Sequence, residues 1–210
     1  MKQSWVKDEV YDYVLNYGCS VSPAVYKLRE ETAEKIGYLQ VMLSSIDQCE
    51  FMKMLVKIIG ARKGIEVGTF TGHATLCFAE GLPEDGKIIT LDVSEEYTNI
   101  GKKYWEEAKV DHKIDLRMGP AIDALDEIIK DETNLESFDF GFIDADKENY
   151  PEYYERLLKL IKPNGIIIVD NYLWGGKVVG EIDPEDSETL ALRKIGEIIK
   201  DDDRVERSTL

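Results

Sequence analysis

The 210-residue chain predicts an α/β fold, a Rossmann-like, doubly wound and mostly parallel sheet preceded by helices. Three observations carry that reading. Strand-like runs at 64–67, 87–91, 114–117, 138–143 and 165–169, apolar for most of their length, alternate with amphipathic segments of about a dozen residues. Strands without a polar face belong to a parallel sheet covered on both sides, and connections of that length are helices. The first run ends in the turn Gly68-Thr69-Phe70-Thr71-Gly72, while Asp92, Asp144 and Asp170 follow the second, fourth and fifth. Such sheets bind ligands beyond the carboxyl ends of their strands.

In chain order, Trp5, Val6, Val10, Tyr13, Val14 and Tyr17 recur at three- and four-residue steps, the period of an amphipathic helix. Ser22-Pro23 starts a second helix, with Ser as cap and Pro in the first turn, through Val25, Leu28, Thr32 and Ile36. These two helices cover a site mouth, face a partner subunit or pad the core. Ser45-Ile46-Asp47-Gln48 reads as a capping box opening a helix through Phe51, Met52, Leu55, Val56 and Ile59, which ends at Gly60. Residues 1–60 thus form a helical cap and 61–210 a Rossmann-like core within one domain. Farther on, Ser94-Glu95-Glu96 caps a helix to about Ala108, Gly119-Pro120 opens one to about Lys130, and Tyr150 to Ile161 forms another. Lys162-Pro163-Asn164-Gly165 then bounds the fifth strand.

Composition narrows the function. With 43% hydrophobic and 32% charged residues the chain reads as an ordinary soluble protein with a sizeable core. A formal charge of -16 argues against nucleic acid and anionic membranes, which need a basic footprint. No apolar run approaches the roughly 20 residues of a membrane span, and Met1 to Trp5 leads into charged residues rather than a signal-peptide core. Cys19, Cys49 and Cys77 are odd in number and widely spaced, as expected of reduced thiols in the cytoplasm. Without a Cys-x-x-Cys pair, and with His73 and His112 each alone, a zinc site is not expected. His73 is expected to cap or pack on the helix after the turn.

Gly68 and Gly72 bracket a turn between a strand and a helix N-terminus, where bare backbone N–H groups face a cofactor; the same pattern also suits a plain tight turn. Glu66 lies in the strand end, and Asp92 closes the second strand, where an acid suits a ribose diol. Gly-x-x-x-Gly lacks the Gly-x-Gly-x-x-Gly of dinucleotide folds, so a pyrophosphate is not the expected ligand. If the fourth and fifth strands are neighbours, Asp144, Asp170 and Asn171 supply three oxygen donors with no Cys or His beside them. That is a hard-cation set suited to Mg²⁺, Mn²⁺ or Ca²⁺. Taken singly, each Asp also serves as a helix cap or a solvated charge.

The run Gly64-Ile65-Glu66-Val67-Gly68-Thr69-Phe70-Thr71-Gly72 is joined by Leu82-Pro83-Glu84-Asp85-Gly86-Lys87-Ile88, Val110-Asp111-His112-Lys113-Ile114-Asp115 and Gly119-Pro120-Ala121. With Phe142-Ile143-Asp144-Ala145-Asp146-Lys147 and Asp170-Asn171-Tyr172-Leu173-Trp174, the set resembles the cation-dependent S-adenosylmethionine O-methyltransferases of the caffeoyl-CoA and catechol type. Lys27 to Ala33 and Leu43 to Asp47 extend the resemblance over nearly the whole chain. It implies a seven-stranded class I methyltransferase sheet, a homodimer, and S-adenosylmethionine and a divalent cation as cofactors. The implied reaction is methyl transfer to a hydroxyl of a vicinal diphenol, a small phenolic substrate or its CoA ester. Position by position, it implies cofactor contacts from Ser44, Glu66, Gly68, Thr69, Asp92, Ala121 and Asp146. Asp92 then holds the ribose hydroxyls, and Gly68 and Glu66 the methionine end. Asp144, Asp170 and Asn171 are the implied metal ligands, and Lys147, beside Asp144, is the implied general base. On the residues alone, Lys147 is equally a solvated charge at a helix start, and Asp146 a helix N-cap.

The chain also departs from the pattern. His73-Ala74 stands where the family has an aromatic and a Ser, Gly175 where plant enzymes carry a substrate-contacting Asn, and Gln48-Cys49 where they carry Glu-Gly. A strict caffeoyl-CoA preference is therefore not implied. Arg204 to Leu210 begins a strand that family members continue into a final hairpin, so the last strand reads as cut short. Trp174 and Tyr172 form either an aromatic wall for the substrate or part of the core. The alternative to an enzyme is a methyltransferase-like binding or dimer module without catalysis. A nicotinamide dehydrogenase is disfavoured by the glycine pattern, and a tRNA methyltransferase by the net charge.

Overall fold

The structure, a computed structural model, describes residues 7–210, so Trp5 and Val6 of the first amphipathic stripe lie outside the described residues. The described part of that stripe forms helix α1, Asp8–Gly18. None of its residues is buried, and Val10, Tyr13, Val14 and Tyr17 are all exposed, with Tyr13 and Tyr17 stacked at 4.4 Å. The described part of the stripe therefore pads nothing in the core. Helix α2, Pro23–Ile36, does, burying Ala24, Val25, Leu28 and Thr32. A 3-10 segment, Gly37–Met42, leads to α3, Ile46–Ile58. Ser22 and Ser45 occupy the N-cap positions of α2 and α3, but neither hydroxyl accepts a cap bond. The capping box expected at 45–48 does not form, because the Ser45 hydroxyl serves the Asp47 carboxylate, which also accepts from Tyr11 Oη at 2.9 Å.

From there strand and helix alternate: β1 Lys63–Val67, α4 His73–Gly81, β2 Lys87–Asp92, α5 Glu95–Glu107, β3 Ile114–Met118, α6 Ala121–Lys130, β4 Phe138–Ile143, α7 Tyr150–Leu160, β5 Ile161–Val169 and α8 Ser187–Lys200. The Ser94 hydroxyl caps α5 by accepting from Tyr97 N, as expected. All strand pairs are parallel, in the order β3-β2-β1-β4-β5. Alternate residues of each strand point to opposite faces. Ile88, Phe140, Phe142, Ile166 and Ile168 pack into a core with α2, α3, α4 and α5, while Ile65, Val67, Ile89, Leu91 and Ile143 pack with α6, α7 and α8.

Three expectations need correction. The Lys162-Pro163-Asn164-Gly165 turn lies within β5 as an irregularity: register jumps from Phe138↔Ile161 to Phe140↔Ile166, and Asn164 takes a φ of 64°. The sheet has five strands rather than the seven the resemblance implied. Arg204–Leu210 forms no strand; the segment after α8 is pinned to α7, with Tyr154 Oη donating to Asp202 and the Arg204 guanidinium donating to Asp202 and Glu155. Helix α8 itself was not read from the sequence, although Leu192, Ile195 and Ile199 carry its buried face and the Asp186 side chain accepts from Thr189 N. Among the described residues no helix is long and apolar enough to cross a membrane.

Candidate active site

The strand order places the ends of β2, β1, β4 and β5 side by side, and backbone hydrogen bonds carry the ladder past them. Gly119 N donates to Asp92 O at 2.9 Å, Gly68 N to Leu91 O at 2.9 Å, Asp144 N to Val67 O at 2.8 Å, and Asp170 N to Ile143 O at 3.0 Å. The acidic residues at the strand ends are thus fixed at their backbones to the neighbouring strand. Gly68, at φ +98°, belongs to this arrangement: a Cβ there would stand 2.0 Å from the Asp144 carbonyl oxygen. Its glycine character serves the approach of β1 to β4. Gly72, at φ +80°, makes room for the Trp105 indole rather than for the strand.

The amides of the turn are not bare. Thr69 N and Phe70 N both donate to Asp92 Oδ2, at 3.0 and 2.7 Å, and Gly72 N donates to Thr69 O. Ser94 N donates to the other Asp92 oxygen at 2.8 Å. An ionised carboxylate offers about four acceptor positions, so Asp92 holds the turn closed and keeps one position for a further donor.

Glu66 is fully buried. Its Oε2 accepts from the hydroxyls of Thr75 and Thr90, and Thr90 is joined to Thr69 Oγ1 at 2.6 Å. Its Oε1 has no partner. Burial, assisted by the charges of Asp144 and Asp92, pushes the carboxyl up to about 8 against the pull of the two threonine hydroxyls. A buried polar atom without a partner costs roughly 1–3 kcal/mol, so this oxygen fits a cofactor whose cationic donor favours the ionised carboxylate. Thr75 and Thr90 were missed in the sequence; as ordinary helix and strand residues they carried no motif.

At the next two strand ends the expected acids converge. The Asp144 and Asp170 carboxylates stand within hydrogen-bonding reach of each other, and burial, then the Asp170 charge, pushes the Asp144 carboxyl up to about 7. Two facing carboxylates repel unless a proton or a cation sits between them. The Asn171 amide follows at once, at φ 56°, with its N–H donating to Asp170 Oδ1 at 2.7 Å. An all-oxygen donor set of net negative charge fits a hard divalent ion. Lys147 is buried rather than solvated, and its Nζ donates to Asp144 Oδ1 at 3.0 Å, Ala145 O at 2.9 Å and Tyr150 Oη at 2.6 Å. Burial and the two aspartates hold the Tyr150 phenol well above its ordinary range, so it stays protonated.

The remaining expected residues lie around this row. Asp146 is exposed and accepts from Tyr153 Oη at 2.6 Å and from Asn149 Nδ2; its side chain makes no cap bond. Ala121 opens α6 directly after the β3 end, and Ser44 is buried before α3, its carbonyl accepting from Arg29 at 2.9 Å. Trp174 is half-buried against the α8 side of the core, with Lys147 Nζ 5.8 Å from its ring. His73 packs, as expected, within the core.

The O-methyltransferase family model matches residues 17–210. Caffeoyl-CoA O-methyltransferase 1 of Zea mays is 47% identical over 176 residues, which cover 82% of this chain and 67% of that protein. Among solved structures, an O-methyltransferase from Bacillus cereus in complex with SAH superposes with a TM-score of 0.86 at 33% identity, over 94% of this chain and 88% of that one. The O-methyltransferase TomG of Streptomyces achromogenes, in complex with SAM, gives 0.84 at 28% identity over 91% and 84%. By its fold, its strand-end acids and these matches, the chain belongs to the O-methyltransferase family and has the architecture of an S-adenosylmethionine-dependent O-methyltransferase.

Proposed function

We propose that this protein transfers a methyl group from S-adenosylmethionine to a hydroxyl of a catechol-like small molecule or its CoA ester, with a divalent cation held by Asp144, Asp170 and Asn171. The observation that carries the reading is the meeting of the Asp144 and Asp170 carboxylates beside Lys147, one strand from the Glu66 and Asp92 turn. When bound, the cofactor supplies an electrophilic methyl and the divalent ion supplies Lewis acidity toward the acceptor oxygens.

The chain's own residues do the rest. Glu66 Oε1 is the acceptor suited to the amino group of the methionine end, and the free position on Asp92 suits a ribose hydroxyl. Ser44, Gly68, Thr69, Ala121 and Asp146 complete the proposed cofactor contacts. A phenol titrates near 10, so its proton needs an acceptor at neutral pH. Lys147 is the residue proposed to take it, its Nζ held beside the site through Asp144 Oδ1, Ala145 O and Tyr150 Oη. Displacement at a sulfonium methyl depends above all on alignment, and the strand-end ladder supplies fixed positions for it. The exposed stripe of α1, together with exposed Tyr38, Val41 and Met42, supports a homodimer built on this end of the molecule.

The test is a methyl-transfer screen over diphenols, with and without their CoA esters, plus and minus divalent ion. Turnover of at least one diphenol that stops in chelator is expected. Transfer that is indifferent to the ion, or confined to acceptors with a single hydroxyl, would refute the proposal.

A further inference from the structure

Cys49 and Cys77, far apart in the chain and without a motif, meet His73 where α3 packs on α4. His73 and Cys77 are one turn apart on α4 and face Cys49 on α3, and the ligand atoms of all three lie within 4.8 Å of one another. Cys49 Sγ stands 3.6 Å from His73 Nδ1. The three are 0%, 2% and 1% exposed, for Cys49, His73 and Cys77, and take no part in the proposed methyl transfer. The imidazole is poorly provided for: its Nε2 is buried without any partner, and its Nδ1 meets Cys49 and Arg29 Nη1, the latter at 3.1 Å.

Two thiols and an imidazole are soft donors, unsuited to the hard cation proposed for Asp144 and Asp170. Bonds of about 2.0–2.3 Å at trigonal angles hold neighbouring ligand atoms about 3.8–4.0 Å apart, so an ion fits within the triangle after closures of less than about an ångström. The number of donors sets this group apart from a closed structural zinc site. Structural zinc takes four ligands, and among the described residues no further His, Cys, Asp or Glu joins the group. Charge points the same way. Two thiolates and a neutral imidazole around a monovalent ion sum to one negative charge, which the Arg29 guanidinium offsets; around a divalent ion they would leave that guanidinium uncompensated. Arg29 already interacts with both cysteines.

We propose that Cys49, His73 and Cys77 form a site for a soft monovalent d10 cation of the copper(I) class. Binding forms two metal–sulfur bonds and one metal–nitrogen bond, releases the two thiol protons to solvent, and leaves every oxidation state unchanged. The His73 lone pair now offered to Arg29 goes to the metal, while Arg29 keeps its bond to Ser44 O.

The test uses the reduced full-length protein, titrated anaerobically with copper(I) in competition with a chromogenic copper(I) chelator. One equivalent is expected to be retained, with X-ray absorption at the copper edge giving two sulfur neighbours and one nitrogen. Cys49→Ser and Cys77→Ser are expected to weaken binding by more than the roughly 100-fold that loss of an outer-shell partner costs, while Cys19→Ser leaves it unchanged. Failure to retain copper, a coordination shell lacking sulfur, equal retention in both serine variants, or a preference for zinc would each overturn the proposal. The absorption measurement on the unmodified chain decides the matter even where a serine variant misfolds.

Discussion

Replacing Glu66 by Gln keeps the shape of the side chain and removes its titration. In the folded protein the carboxyl titrates at about 8, against an ordinary value of 4.5. Because burial raises this acid's pKa, the folded state holds the proton more tightly than the unfolded chain does. Stability is therefore lost as pH climbs from the unfolded value toward about 8, and is level above it. Linkage between those two values gives a loss of roughly 2.5–3 kcal/mol between pH 6 and pH 9 from this one group. Glu66→Gln should lack that loss, so in urea titrations its stability relative to the parent rises by that amount across the interval. Binding of the cofactor should move in the opposite direction. If Oε1 receives the methionine ammonium, the amide forfeits a charge-assisted hydrogen bond worth roughly 1.5–3 kcal/mol, or about 10- to 150-fold in Kd at pH 8. Calorimetric titration of S-adenosylmethionine measures it. Equal pH dependence of stability in both proteins would refute the buried-acid account, and equal Kd values would refute the role given to Oε1.

Asp170→Ala should abolish methylation of a catechol while leaving S-adenosylmethionine affinity within about threefold, since β4 stands between the aspartate's strand and that of the turn; unchanged turnover contradicts the metal assignment. Lys147→Met should lower kcat by roughly 10²–10⁴-fold, the usual worth of a general base, with the calorimetric cofactor affinity retained, and its remaining activity should rise with pH as the phenol ionises unaided. Gly68→Ala should cost roughly 3–5 kcal/mol in thermal denaturation, because the new Cβ meets the Asp144 carbonyl in a left-handed backbone conformation; a variant as stable as the parent would mean that β1 and β4 can part at their ends.

Much of this architecture was legible in residue patterns, for physical reasons that also set the limits. The run Phe138–Ile143 is wholly buried and could be nothing but a central strand, and Ser94 capped its helix as its position required. Local rules failed where another partner, near or far in the chain, competed for the same group. The Ser45 hydroxyl went to Asp47, Asp92 turned back onto the amides of the glycine turn, and Asp146 took Tyr153 and Asn149 in place of a helix end. The acids of the candidate metal site were readable because strand order alone brings 144 and 170 together. The Thr75 and Thr90 support of Glu66, and the Cys49, His73 and Cys77 group, depend on how helices pack on the sheet, which no short spacing encodes.

The hydrogen bonds that run on past the strand ends give the catalytic floor the stiffness of the sheet beneath it. In the proposed reaction, acceptor preference then falls to the segment that follows β5. Gly68, Asp92, Asp144 and Asp170 cannot shift without unzipping neighbouring backbone, whereas residues 172–180 are tied chiefly through local turns and the Arg193 contacts to Val178 and Gly180. Under the proposed reaction, randomising that stretch while leaving the strand termini alone should change the acceptor, and relatives that differ in acceptor should differ there first.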